Sequence, residues 1–270
     1  MSERRRQFDR DGFLVLPGFA SPEACAGLVA AAERIVAETD VDALETIFDA
    51  KGQGHGRDRW FLDSGPEVRA FLEDTPEGPK RVNKLGHALH DRVPEFRAFS
   101  DDPRLDALVR ELGVAAPRLL QSMLIFKYPR VGGEVPAHQD ASYLYTEPVS
   151  VIGLWFALEE ATLENGCLEA LPGSHRLGLR SRYRRDGDRA FTERLDPRPW
   201  PRAGWRPLPV PAGTLVVLHG LLAHRSAANR SPDPRRAYAL HVIDAETEYA
   251  ADNWLQRPAD MPLRGFSTPA

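Results

Sequence analysis

Residues 119–128 read LLQSMLIFKY, 151–158 VIGLWFAL, 167–171 CLEAL, 215–218 LVVL and 238–243 YALHVI. Each run is short and largely apolar, most are partly β-branched or aromatic, and each is bounded by Gly, Pro, Asn or Asp, which favours strands over helices. No strand–helix–strand alternation runs through this half of the chain, so the strands are expected to pair antiparallel in a sheet-on-sheet or barrel core. Toward the N-terminus the period changes. Ser21-Pro22-Glu23 supplies a hydroxyl cap, a proline at the first helical position and an early acid. It predicts a helix running to about Glu38, with Leu28, Ala31, Ala32, Ile35 and Val36 as its buried stripe. A second helix is expected from Pro103 to Leu112, and the Gly-, Asp- and Arg-rich text from Lys51 to Gly65 reads as loop. The expected fold class is mainly β with flanking helices, of the jelly-roll kind.

The 270 residues are 42% hydrophobic and 27% charged, which suits one ordinary globular domain spanning 1–270. A net charge of −4 gives no case for nucleic acid or an anionic membrane as partner. Two cysteines, Cys25 and Cys167, make no disulfide framework, and no signal-peptide or membrane-spanning apolar run is visible, so a cytoplasmic location is expected. Between Arg180 and Arg206 stand nine arginines against four acids. That stretch reads as an insertion loop over 180–206, either a mobile lid drawing in an anionic substrate or a surface loop whose arginines pair locally.

Of the eight histidines, only His138 is followed two residues later by a carboxylate, in His138-Gln139-Asp140. On a strand such a pair shares a face, and an imidazole and a carboxylate could grip one ion. A second histidine from a distant strand would complete the two-His, one-carboxylate arrangement of non-haem Fe(II) sites. A lone His-x-Asp also arises by chance. His175, His219, His224 and His241 all stand as candidates for the third position. In RRAYALH, residues 235–241, Arg235, Ala237, Ala239 and His241 fall on one strand face, with room in front of a guanidinium for a planar anion such as a dicarboxylate. Arg235 also reads as a charge at a strand edge.

The blocks QSMLIFKYPRVGGEVPAHQDASYLYTEP (121–148), GLWFALEEATLENGCLEALPGSHR (153–176) and GTLVVLHGLLAHRSAANRSPDPRRAYALHV (213–242) resemble, in that order, the phytanoyl-CoA dioxygenase family of Fe(II)- and 2-oxoglutarate-dependent oxygenases. The resemblance runs from about Phe13 to Asp244. It implies a double-stranded β-helix, the cupin-like jelly roll. It makes His138, Asp140 and His224 the iron ligands and Arg235 with Ser226 the anchor for the distal carboxylate of 2-oxoglutarate. Lys84, Met123 and Trp155 match positions that line the cosubstrate pocket, although Met123 and Trp155 also read as core and Lys84 as a solvated charge. His175 is expected to brace a turn, and His219, His241, His87 and His90 to be structural. The implied activity is oxidation of a C–H bond of a small molecule, with O2 consumed and succinate and CO2 as co-products. The presence of Asp140 argues against a related halogenase, which needs that coordination position for halide. A non-catalytic metal- or ligand-binding jelly roll is the alternative, and Arg235 argues against it, since such a binder has no need of a cosubstrate anchor.

Overall fold

The computed structural model describes residues 1–47, 56–75 and 78–266. His55 and residues 51–55 of the expected loop lie outside the described residues. Helix α1, Glu3–Asp11, is followed by strand β1, Phe13–Leu16, and by α2, Pro22–Glu38. Ser21 caps α2 as its sequence requires, its hydroxyl accepting from the Ala24 amide at 3.2 Å, a contact worth about 1 kcal/mol. The short α3, Arg59–Leu62, precedes β2, Val68–Leu72, and β3, Val82–His87. Then come α4, Leu89–Arg92, α5, Pro94–Ser100, and α6, Pro103–Glu111. From there the chain is almost wholly strand: β4, Pro117–Lys127; β5, Val135–His138; β6, Thr146–Glu147; β7, Ile152–Ala157; β8, Leu168–Ala170; β9, Ser181–Asp186; β10, Arg189–Arg194; β11, Arg206–Leu208; β12, Leu215–His219; β13, His224–Ser226; β14, Arg235–Asp244; and β15, Glu248–Tyr249.

Seven strands form the large sheet in the order β1-β12-β7-β14-β4-β3-β2, and four form a second sheet, β11-β8-β13-β5. Every ladder in both sheets is antiparallel, as the missing crossover helices required. Strand alternation then sorts the side chains into two cores. Leu124, Phe126, Leu154, Phe156, Leu215, Val217, Tyr238 and Leu240 face out and are covered by Cys25, Leu28, Ala31 and Ala32 of α2, Phe96 of α5, and Leu105, Leu108 and Val109 of α6. Ile35 and Val36, at the far end of the expected stripe, are only partly buried against this core. The residues of opposite parity, Trp155, Ala157, Val216, Leu218, Ala237 and Ala239, face inward and meet Leu168, Ala170 and Leu208 of the second sheet.

The stretch 180–206 is not the expected loop. Most of it is a β-hairpin of β9 and β10, paired from Arg189↔Asp186 to Arg194↔Ser181. Arginines on successive strand positions carry no apolar alternation, so the hairpin is invisible to hydrophobic period. The last described residues, 245–266, fold back on the body of the protein, where Trp254 is buried and stacked on Phe61 with ring centroids 4.4 Å apart.

Candidate metal centre

Gln139 has an extended backbone, φ −120° and ψ 133°, so His138 at the end of β5 and Asp140 just beyond it project to the same side. The intervening side chain points away and joins three segments: its amide donates to Gly178 O at 2.9 Å and Leu221 O at 2.7 Å, and its carbonyl accepts from Arg180 N at 2.9 Å. Across the ladder His224, the first residue of β13, stands directly opposite His138, with ring centroids 4.2 Å apart. Among the described residues, His138, Asp140 and His224 form the group whose ligand atoms all lie within 4.8 Å of one another. Asp140 Oδ1 is 3.6 Å from His138 Nε2 and 3.5 Å from His224 Nε2.

Both imidazoles are held in the tautomer a metal needs. His138 Nδ1 lies 2.9 Å from Pro136 O and His224 Nδ1 3.1 Å from Leu222 O; a carbonyl can only accept, so each Nδ1 carries the hydrogen and each Nε2 keeps its lone pair. Burial pulls the His224 pKa down to about 4, which keeps it neutral. Burial acts on His138 in the same sense, but the hydrogen bond and charge of Asp140 outweigh it and leave its pKa raised. Asp140 is held well below the usual carboxylate range, because the surrounding imidazoles more than offset its own burial. One carboxylate and two imidazole nitrogens aimed at one place suit a divalent cation, which would compete with a proton for His138 Nε2, so the residues present fit the metal.

These three side chains line a cavity of about 120 Å³ together with Arg235, Ser226, Lys84, Met123 and Trp155. Arg235 is 2% exposed, and its Nε and Nη1 have no hydrogen-bond partner among the described residues. Burial lowers its pKa to about 10, so the guanidinium stays charged, with the Trp155 ring centroid 5.5 Å away. The strand-edge reading of Arg235 is thereby replaced: β14 lies inside the sheet, between β4 and β7. Lys84 is not a solvated charge either. It is 3% exposed, its Nζ stands 5.2 Å from the Phe71 ring and 3.8 Å from Met123 Sδ, and burial lowers its pKa strongly.

The other histidines divide. His175 Nε2 bonds Asp9 O at 3.1 Å and braces the end of α1, while His219 Nδ1 accepts from Leu221 N at 3.0 Å. His87 and His90 bond Ser64 and Ser122 hydroxyls at 2.8 and 2.7 Å. His241 departs from the structural role expected of it, since it lines the cavity and its Nε2 lies 3.4 Å from Asp140 Oδ2. Gly153, opposite His241 in the β7–β14 ladder, is a second residue that the sequence reading passed over: a Cβ there would stand 2.8 Å from Asp140 Oδ2. A glycine inside a strand was the available signal. A third is Lys127, opposite Arg235 on β4, whose buried ammonium donates to Gly133 O and, at 2.7 Å, to Ala227 O.

Three arginines of the hairpin are engaged with carboxylates. Arg182 and Arg184 both contact Asp252 at 2.6 Å, Arg184 also meets Glu193 at 2.8 Å, and Arg185 meets Asp63 at 2.8 Å. These pairings match the surface-loop alternative for their charge, even though the backbone is a hairpin.

The sequence profile of the family described as phytanoyl-CoA dioxygenase (PhyH) matches residues 8–237. The chain is 41% identical over 280 aligned residues to phytanoyl-CoA dioxygenase domain-containing protein 1 of Mus musculus, covering 96% of this chain and 95% of that one. It is 39% identical to a phytanoyl-CoA dioxygenase of Arabidopsis thaliana, covering 94% and 93%. Among solved structures, EctD from S. alaskensis with bound Fe superposes with a TM-score of 0.67 at 22% identity, over 96% of this chain and 82% of that one. The epimerase SnoN, in complex with Fe3+, alpha ketoglutarate and nogalamycin RO, superposes with a TM-score of 0.66 at 21% identity, over 98% and 94%. Those two likenesses support the jelly-roll fold, and the profile and the close relatives settle the family: the chain belongs to the phytanoyl-CoA dioxygenase family.

Proposed function

We propose that the protein is an Fe(II)- and 2-oxoglutarate-dependent dioxygenase that oxidises a C–H bond of a small-molecule substrate. The observation that carries this reading is the joint lining of one cavity by a His-Asp-His cluster and a buried arginine without a carboxylate partner. His138, Asp140 and His224 would hold the metal, and three protein ligands leave coordination positions open for cosubstrate and O2. When bound, such a centre supplies the O2-dependent oxidation and converts 2-oxoglutarate to succinate and CO2.

The chain's own residues have separable tasks. The carbonyls of Pro136 and Leu222 fix the two imidazoles so that their Nε2 lone pairs point to one place. Arg235 offers a planar pair of donors to the distal carboxylate of 2-oxoglutarate, and Ser226 adds a hydroxyl to the lining of the same cavity from the second sheet. An unpaired buried guanidinium is costly, and a dicarboxylate removes that cost on binding. Trp155, Met123, Leu168 and Leu218 supply apolar lining that helps exclude water. The structures of EctD with 5-hydroxyectoine and SnoN with nogalamycin RO support a small-molecule substrate.

Succinate formed from 2-oxoglutarate by the purified, iron-loaded protein in air tests the reading. It is expected above a chelator-treated control and to vanish in Asp140→Ala. Iron-loaded protein that binds 2-oxoglutarate and forms no succinate, alone or across a substrate panel, would instead make this a non-catalytic binder.

A further inference from the structure

Three imidazoles surround the Asp140 carboxylate, and they are not equivalent. His138 and His224 each have a backbone carbonyl at Nδ1 and approach Oδ1 through Nε2. His241 approaches the other oxygen, Oδ2, at 3.4 Å, and its buried Nδ1 has no partner among the described residues. An N–H buried with nothing to accept it costs more than an idle ring lone pair, so the His241 hydrogen belongs on Nε2, where a carboxylate oxygen faces it. The tautomer is the reverse of that at the other two histidines. A ring with its hydrogen on Nε2 donates to the carboxylate and has no lone pair there for a metal.

We propose that His241 is a positioning residue for Asp140: it engages Oδ2 by an Nε2–H contact and leaves Oδ1 turned toward the His138 and His224 nitrogens. The proposal rests on the iron reading above. The ladder makes the arrangement possible. His241 pairs across β14 and β7 with Gly153, and the missing Cβ at that glycine is the space that Oδ2 occupies. The alternative, His241 as a fourth ligand, conflicts with its absence from the cluster whose donor atoms lie within 4.8 Å of one another. A ligating carboxylate held by an outer hydrogen bond is a general device, and losing the outer partner typically costs about 10–100-fold in metal affinity.

The test is titration of the metal-free protein with Co(II), followed by its visible ligand-field spectrum, in the parent and in His241→Leu, His241→Phe and His241→Gln. The thermal midpoint without metal serves as the control for folding. Leucine and phenylalanine remove the donor in two different shapes, so at least one is expected to fold; glutamine keeps an N–H at similar reach. The expected result is Co(II) affinity about 10–100-fold weaker with a changed spectrum in Leu and Phe, and near-parent behaviour in Gln. Parent affinity and spectrum in the folded Leu and Phe variants would overturn the proposal, as would a Gln variant no better than Leu. Failure of the iron reading itself looks different: the parent binds no Co(II), or His138→Ala binds it as tightly as the parent, and either outcome overturns the proposal with it.

Discussion

At Arg235 the chemistry of a single residue can be isolated from the metal. The side chain is buried, charged and without a carboxylate partner, so Arg235→Ala is expected to weaken 2-oxoglutarate binding by about 2–5 kcal/mol while metal affinity stays near the parent value. Equilibrium dialysis of both ligands against the variant checks this, and unchanged 2-oxoglutarate affinity would place the anchor at Lys84 or Lys127. Gly153→Ala should do the opposite. Its Cβ would press on Asp140 Oδ2 at 2.8 Å, so Co(II) affinity is expected to fall about tenfold or more; a variant titrating like the parent would show that the carboxylate has room to move. The sequence pointed to the His-x-Asp pair and the β14 face because both depend on period-two alternation, which is local. It left the third position open among four histidines. The choice of His224 came from family resemblance, and the ladder pairing His224↔His138 is non-local information that spacing cannot carry. The sequence could not show the role of His241, because the carboxylate it meets lies 101 residues away in the chain.

Strand β14 is the element that organises the site. Its odd positions 235, 237, 239 and 241 face the cavity or its core, while Tyr238 and Leu240 pack under the helices. The alanines between Arg235 and His241 keep that floor low. Ala239→Leu is expected to fill the space before Arg235 and reduce 2-oxoglutarate affinity by tenfold or more, with Co(II) affinity retained, and titration of both ligands decides it. The runs 119–128, 151–158, 167–171, 215–218 and 238–243 announced β4, β7, β8, β12 and β14; β7, β12 and β14 are buried almost throughout and read as near-continuous apolar runs, while β4 and β8 carry polar or half-buried positions between apolar ones. The hairpin β9–β10 was illegible for the opposite reason: its arginines are held by Asp252 and Asp63, carboxylates distant in sequence. Asp252→Asn is therefore expected to speed proteolytic cleavage within 180–206, and cleavage at the parent rate would show that the ion pairs do not hold the hairpin.

At the scale of the whole molecule, the jelly roll buries several of the described histidines in the neutral form. Burial lowers His90 to about 3 and His219 to about 4, both below the ordinary value of 6.5. The unfolded chain then binds more protons than the folded one below pH 6.5, so the metal-free protein should lose stability as pH falls from about 6.5 toward 4, by up to about 1.4 kcal/mol per pH unit for each such group. Urea midpoints measured in chelator from pH 7.5 to 5 check the sign, and a midpoint flat across that window would contradict it. The central claim is that the His-Asp-His cluster and Arg235 serve one ligand in one cavity, and anaerobic calorimetric titration of 2-oxoglutarate tests it most directly. The account predicts tight binding to the Fe(II)-loaded parent, strongly weakened both when the metal is removed and in Arg235→Ala. Affinity indifferent to the metal, or indifferent to Arg235, would contradict it.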